Sequence, residues 1–116
     1  MLAPLFALAM LAQDRPKPYE LGSALFAHCQ EAIRIFDNPS AEGDLQSATE
    51  CTAYIGAFAD ALLITQNTRS CPGIASVATM TRIYIAYMQK NPKLLDHAKA
   101  FGVMLALTDA FPCKEK

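Results

Sequence analysis

Four cysteines, Cys29, Cys51, Cys71 and Cys113, constrain this chain more than any other feature. Their number is even, and no two lie close together in sequence. In a small chain that pattern reads as a disulfide framework assembled in an oxidising compartment. A structural zinc site would want a Cys-x2-Cys pair, and a redox dithiol would want Cys-x-x-Cys; the sequence has neither. Four cysteines still allow three connectivities. Choosing among them requires knowing which elements carry each one.

The periodicity is helical throughout. In the stretch from Cys51 to Asp60, Cys51, Ile55, Phe58 and Leu62 recur at three- and four-residue steps and fall on one helical face. Ala53, Gly56, Ala57 and Asp60 form a second strip of small residues. Gly inside a helix costs about 1 kcal/mol against Ala, so tight packing of this strip on another helix is expected to offset it. A first helix is expected over 19–36, with Leu21, Leu25, Cys29, Ala32 or Ile33, and Phe36 on its apolar face. Pro39 ends it by disfavouring helix at the residue before. Ser47 with Glu50 matches a capping box, which starts the second helix and carries it to about residue 64. A third helix is expected over 74–89, on Val77, Met80 or Thr81, Tyr84 and Met88. The fourth begins near Asn91 or Asp96 as cap and runs to Phe111 through Leu95, Ala98, Phe101, Val103, Leu105 and Leu107. No alternating β-branched run bounded by hairpin turns is present. The expectation is an all-α, four-helix up-and-down bundle.

That topology selects a pairing. Cys29 lies in the second half of helix one and Cys51 near the start of helix two, so antiparallel packing brings both to one end. Cys71 precedes helix three and Cys113 follows helix four, at the other end. Cys29–Cys51 and Cys71–Cys113 are therefore expected, each stabilising by about 3–4 kcal/mol in the chain-entropy model.

The chain has 116 residues, 53% apolar and 18% charged, which describes one globular domain. Its net charge of −1 is spread along the sequence and gives no basic surface for nucleic acid or anionic membrane. Residues 1–12 are uninterruptedly apolar, too short for a spanning helix of about 20 residues. They resemble a secretory signal peptide, with Ala7-Leu8-Ala9 as a small-x-small cleavage pattern, although no basic n-region precedes them. Residues 13–18 read as a linker and 19–113 as the domain.

Candidate chemistry is sparse. His28 is next to Cys29, but adjacent helical residues do not face each other, so no Cys-His nucleophile is expected. His97 is placed on the polar face of helix four. Asp60 reads as a solvated acid on the small strip, Tyr84 and Tyr87 as edge-of-core aromatics, and Lys90, Lys93 and Lys99 as a solvated cluster. No paired carboxylates, metal triad, phosphate loop or Ser-His-Asp pattern is present. The reading is a non-enzyme without cofactor or metal.

Several of these features occur together in one family. Cys29 with Ala32 and Arg34, Cys51-x-x-Tyr54-Ile55 with Gly56, Cys71-Pro72, Tyr84 with Pro92, and Leu107 with Ala110-Phe111-Pro112-Cys113 follow one another in order. In this order and spacing the chain resembles the Rap/Tai family of type VI secretion immunity proteins over about residues 19–113. The resemblance implies a periplasmic, disulfide-linked helical protein of a Gram-negative bacterium. It implies a cognate peptidoglycan amidase effector as the partner, bound and blocked, and in some members a homodimer that inserts a surface element into the toxin's cleft. The matching positions are scaffold residues: Cys29, Cys51, Cys71, Cys113, Gly56 and Pro112. None is assigned to toxin binding. Recognition is expected from the exposed loops Asp37 to Gln46 and Thr65 to Ser70, because loops on a rigid scaffold carry binding. The alternative from another class is a small periplasmic chaperone or stress protein on the same pinned scaffold, which would bind many clients weakly.

Overall fold

The computed structural model describes residues 17–40, 42–65 and 70–114. The expected leader at 1–12, most of the linker and residues 66–69 lie outside them. Four helices carry the fold: α1 (Gly22–Asp37), α2 (Leu45–Ile64), α3 (Val77–Lys90) and α4 (Lys99–Ala110). Short 3₁₀ segments at Pro18–Glu20 and Pro92–Asp96 lead into α1 and α4. Among the described residues the only β-type pairings are the isolated bridges Leu21–Ala98 and Ser70–Pro112. The fold is all-α.

α1 and α2 form an antiparallel pair. The chain reverses between them: Ile35 near the end of α1 stands at Gly43 just before α2, and Cys29 further back along α1 is bonded to Cys51 further along α2. α3 and α4 form a second antiparallel pair, with Cys71 before α3 bonded to Cys113 after α4. Both expected disulfides are present, each with its Cα atoms 5.0 Å apart. They differ in setting. Cys29 and Cys51 are wholly buried, whereas Cys71 is exposed and Cys113 half-buried.

The core follows the helical spacing. Leu25, Cys29 and Ala32 enter from α1, and Ala48, Cys51, Ile55 and Leu62 from α2. Met80, Thr81, Tyr84 and Met88 enter from α3, and Val103, Ala106 and Leu107 from α4. The Thr81 hydroxyl is paid for locally: it donates to the Val77 carbonyl at 2.8 Å. Phe36 is exposed, because the last turn of α1 lies over the connecting loop, where Ile35 meets Gly43.

Several expectations need correction. α2 starts at Leu45, capped by Asp44 and not by Ser47. The Asp44 carboxylate accepts from both the amide of Ser47 at 3.1 Å and its hydroxyl at 2.7 Å. A charged acceptor at the positive helix end outcompetes a neutral Ser cap. α3 starts at Val77, after the Ser76 hydroxyl accepts from the Thr79 amide, so Ile74 stays outside the helix and fully exposed.

The fourth helix is broken. Asn91 turns its side-chain amide back to the Tyr87 carbonyl at 2.9 Å, closing α3 where it was expected to open a new helix. Asp96 makes no cap, and α4 begins only at Lys99. The cause is tertiary. The amide of Gly22 donates to the His97 carbonyl at 2.8 Å, and Leu21 bridges to Ala98. These contacts hold 97–98 extended against the start of α1. Ala98 and Phe101 are therefore exposed, and the buried stripe of α4 starts at Gly102 and Val103.

The glycine that permits close approach is also a different one. A Cβ on Gly22 would stand 2.6 Å from the Leu94 carbonyl oxygen, so only glycine fits there. A Cβ on Gly56 would meet nothing nearer than a Val77 methyl at 3.4 Å. The strip around Gly56 faces solvent, with Ala53, Ala57 and Asp60 exposed, because α2 spends its core contact on the Cys51–Ile55–Leu62 face.

Candidate functional site

Two surface features stand out. The first is the loop between α1 and α2, which is braced. Arg34, in the last turn of α1, donates to the Glu42 carbonyl at 2.7 Å and pairs with Glu31. Glu31 accepts in turn from the Asp44 amide at 2.7 Å. The Arg34 guanidinium, and then the Asp44 amide, hold the Glu31 carboxyl below its ordinary range. The Ser47 hydroxyl, and then its amide, do the same for Asp44. At the edge of the loop, Asp37 pairs with Arg82 of α3 at 2.7 Å, which lowers the Asp37 carboxyl as well. The backbone of this exposed loop is thus held by side chains of α1.

The second is a groove of about 520 Å³ between α1, α2 and the start of α4, lined by Tyr19, Leu25, His28, Glu50, Ala53, Tyr54 and Lys99. The His28 ring nitrogen Nδ1 lies 3.1 Å from the Glu50 carboxylate. The Lys99 ammonium stands 4.4 Å above the Tyr54 ring, a cation–π distance. Tyr54 is half-buried, tilted against Phe58 with ring centres 6.0 Å apart, and burial raises its hydroxyl above the ordinary tyrosine value.

The candidate residues fall as follows. Cys29, Cys51, Cys71 and Cys113 are all disulfide-bonded. His28 faces the groove and not Cys29, as adjacent helical positions require. His97 lies in the turn before α4, not on that helix's polar face, with its ring 5.9 Å from that of Phe101. Asp60 is exposed. Tyr84 is wholly buried, its hydroxyl donating to the Gly22 carbonyl at 3.3 Å, while Tyr87 is half-buried. Lys90 and Lys93 are exposed, but Lys99 leaves that cluster for the groove. The loop Asp37 to Gln46 is exposed throughout its described part; of Thr65 to Ser70, only Thr65 and Ser70 lie within the described residues. The groove escaped sequence reasoning because its residues come from four separate segments, and the helical steps within α1 and α2 do not show that those segments meet.

Among the described residues no group of three His, Cys, Asp or Glu side chains is placed to hold a metal ion. No described helix is long and apolar enough to cross a membrane. Fold and surface together define a small, doubly disulfide-bonded all-α protein with a braced loop and a mixed groove. Residues 21–113 match the family model of the Rap1a immunity proteins, and the chain belongs to that family. Membership points to a toxin-immunity role, with a toxin as partner. Searches of curated proteins and of solved structures returned no match.

Proposed function

We propose that this chain is exported to the periplasm, loses residues 1–12 as a signal peptide, and there binds and occludes a type VI secreted peptidoglycan amidase. It acts by stoichiometric binding, not by turnover. The observation that carries this reading is the family match over 21–113, whose matched residues include both cysteine pairs. Two disulfides suit an oxidising compartment. The braced loop at Asp37 to Gln46 supplies an exposed surface whose ordering cost is already met within the monomer, and pre-organisation of this kind favours affinity.

The alternative is a periplasmic chaperone, and the exposed apolar side chains Leu63, Ile64 and Ile74 are what favour it. The test is capture of partners by the tagged mature chain in the periplasm of its host, with identification by mass spectrometry. A single stoichiometric partner with amidase chemistry, whose lethality the chain suppresses on co-export, is the expected result. Many substoichiometric partners would select the chaperone reading, and a lethal cognate amidase left unsuppressed would overturn occlusion.

A further inference from the structure

The groove carries one charge of each sign, and only the negative one has an ionic partner within the described residues. Its carboxylate, Glu50, is already engaged by His28 at 3.1 Å. Its ammonium, Lys99, rests on the Tyr54 ring, and no carboxylate pairs with it among the described residues. A ring face attracts a cation but accepts no strong hydrogen bond, so the three N–H donors of Lys99 remain open to an acceptor oxygen, and its charge favours an anionic one. Beside these donors Leu25, Ala53 and the body of Tyr54 give an apolar wall. A volume of about 520 Å³ lies in the ordinary range for a ligand site and holds a side chain with its flanking backbone.

We propose that this groove is a recognition subsite for an acidic side chain on a loop of the protein partner, its carboxylate bonded to Lys99 and its methylene stem lying on Tyr54 and Ala53. The identification of the ligand as part of a protein rests on the immunity reading; the carboxylate preference rests on the groove alone. Glu50 sets the selectivity. Its charge opposes an incoming carboxylate, and it stands one helical turn before Tyr54 on α2, paired with His28 at 3.1 Å. Removing the two charges should therefore move binding in opposite directions, which a purely structural role for either residue would not do.

The test uses the ¹⁵N-labelled oxidised chain and two capped peptides as probes, acetyl-Ala-Glu-Ala-amide and acetyl-Ala-Gln-Ala-amide. Saturable amide shifts at Glu50, Tyr54 and Lys99 with the Glu peptide, and none with the Gln peptide, are expected. Lys99→Gln should weaken the Glu peptide about tenfold, Lys99→Arg should restore it, and Glu50→Gln should tighten it. Equal response to both peptides, no response to either, or Lys99→Gln and Glu50→Gln moving binding in the same direction would overturn the subsite. In the co-export assay, toxin suppression by wild type but weaker suppression by Lys99→Gln supports it. Unimpaired suppression by Lys99→Gln sinks the subsite and leaves the immunity reading standing, whereas failure of the wild type sinks the immunity reading and leaves the peptide result to stand by itself.

Discussion

Removing each disulfide separately should reverse the order that chain entropy alone gives. Cys29–Cys51 closes 22 residues and Cys71–Cys113 closes 42. In the loop-closure model these are worth about 3.4 and about 3.9 kcal/mol, so the longer loop should matter more. Burial changes the ranking. Cys29 and Cys51 are both fully inaccessible at the centre of the core, beside Thr81. Replacing the pair by alanine removes two buried sulfurs and leaves voids in a close-packed interior, at about 1 kcal/mol or more apiece. The Cys29→Ala/Cys51→Ala variant should lose about 5 kcal/mol, which is comparable with the whole stability of a marginal domain. Cys71 is exposed and Cys113 half-buried, so Cys71→Ala/Cys113→Ala should lose about 4 kcal/mol with little cavity cost. Urea unfolding followed by far-UV circular dichroism measures both, with the slope checked because cross-links alter the denatured state. A Cys71→Ala/Cys113→Ala variant as unstable as the core variant, or more so, would refute the claim that burial and not loop length ranks the two bonds.

The two glycines give a contrast of sign in thermal melts. Gly22→Ala should destabilise by about 1–3 kcal/mol, because its Cβ would press on the Leu94 carbonyl oxygen at 2.6 Å. Gly56→Ala should instead stabilise by up to about 1 kcal/mol, since its Cβ makes an ordinary contact with Val77 and Ala is the better helix former. Asp44→Ala should cost about 1 kcal/mol through loss of the α2 cap, measurable by the shift in the urea midpoint. The carboxyls of Glu31, Asp37 and Asp44 all titrate lower in the folded chain than their ordinary values of 4.5, 3.8 and 3.8. The folded state therefore binds fewer protons in that window. Their contribution is complete above those values and is lost as pH falls through the lower, folded ones, so the melting temperature should decline there and Arg34→Ala should flatten the decline.

Much of the fold was legible in residue spacing, because a helix repeats every 3.6 residues and core positions must follow that period. Leu25, Cys29 and Ala32, Cys51, Ile55 and Leu62, and Tyr84 with Met88 are buried where the period puts them. The cysteine pairing was also legible, since helix order and reversal fix which ends meet. What failed did so where contacts from distant segments override local preference. Asn91 and Asp96 are both good caps, yet α4 starts at Lys99, because Leu21 and Gly22 hold 97–98 extended. Gly56 and Gly22 are equally glycine in the sequence; only the packing of Leu94 on α1 shows which one is indispensable.

The candidate surfaces divide in the same way. Exposure of the loop between α1 and α2 follows from its Asn38, Pro39 and Ser40, which favour a turn over helix, and from its charged Glu42 and Asp44, which do not join a core. Its bracing by Glu31 and Arg34 depends on α1 folding back along α2. The groove is a tertiary product: Tyr19, His28, Glu50 and Lys99 lie as far apart as 80 positions, and the helical step from Glu50 to Tyr54 does not show what meets them. By itself the sequence determined the helices, their order, the two disulfides and the family motifs, since each rests on short-range spacing or on chain reversal. Only the tertiary structure decided where α4 begins, which glycine must stay, and which charges share a groove, because those depend on backbone and side chains meeting across segments that no local pattern connects.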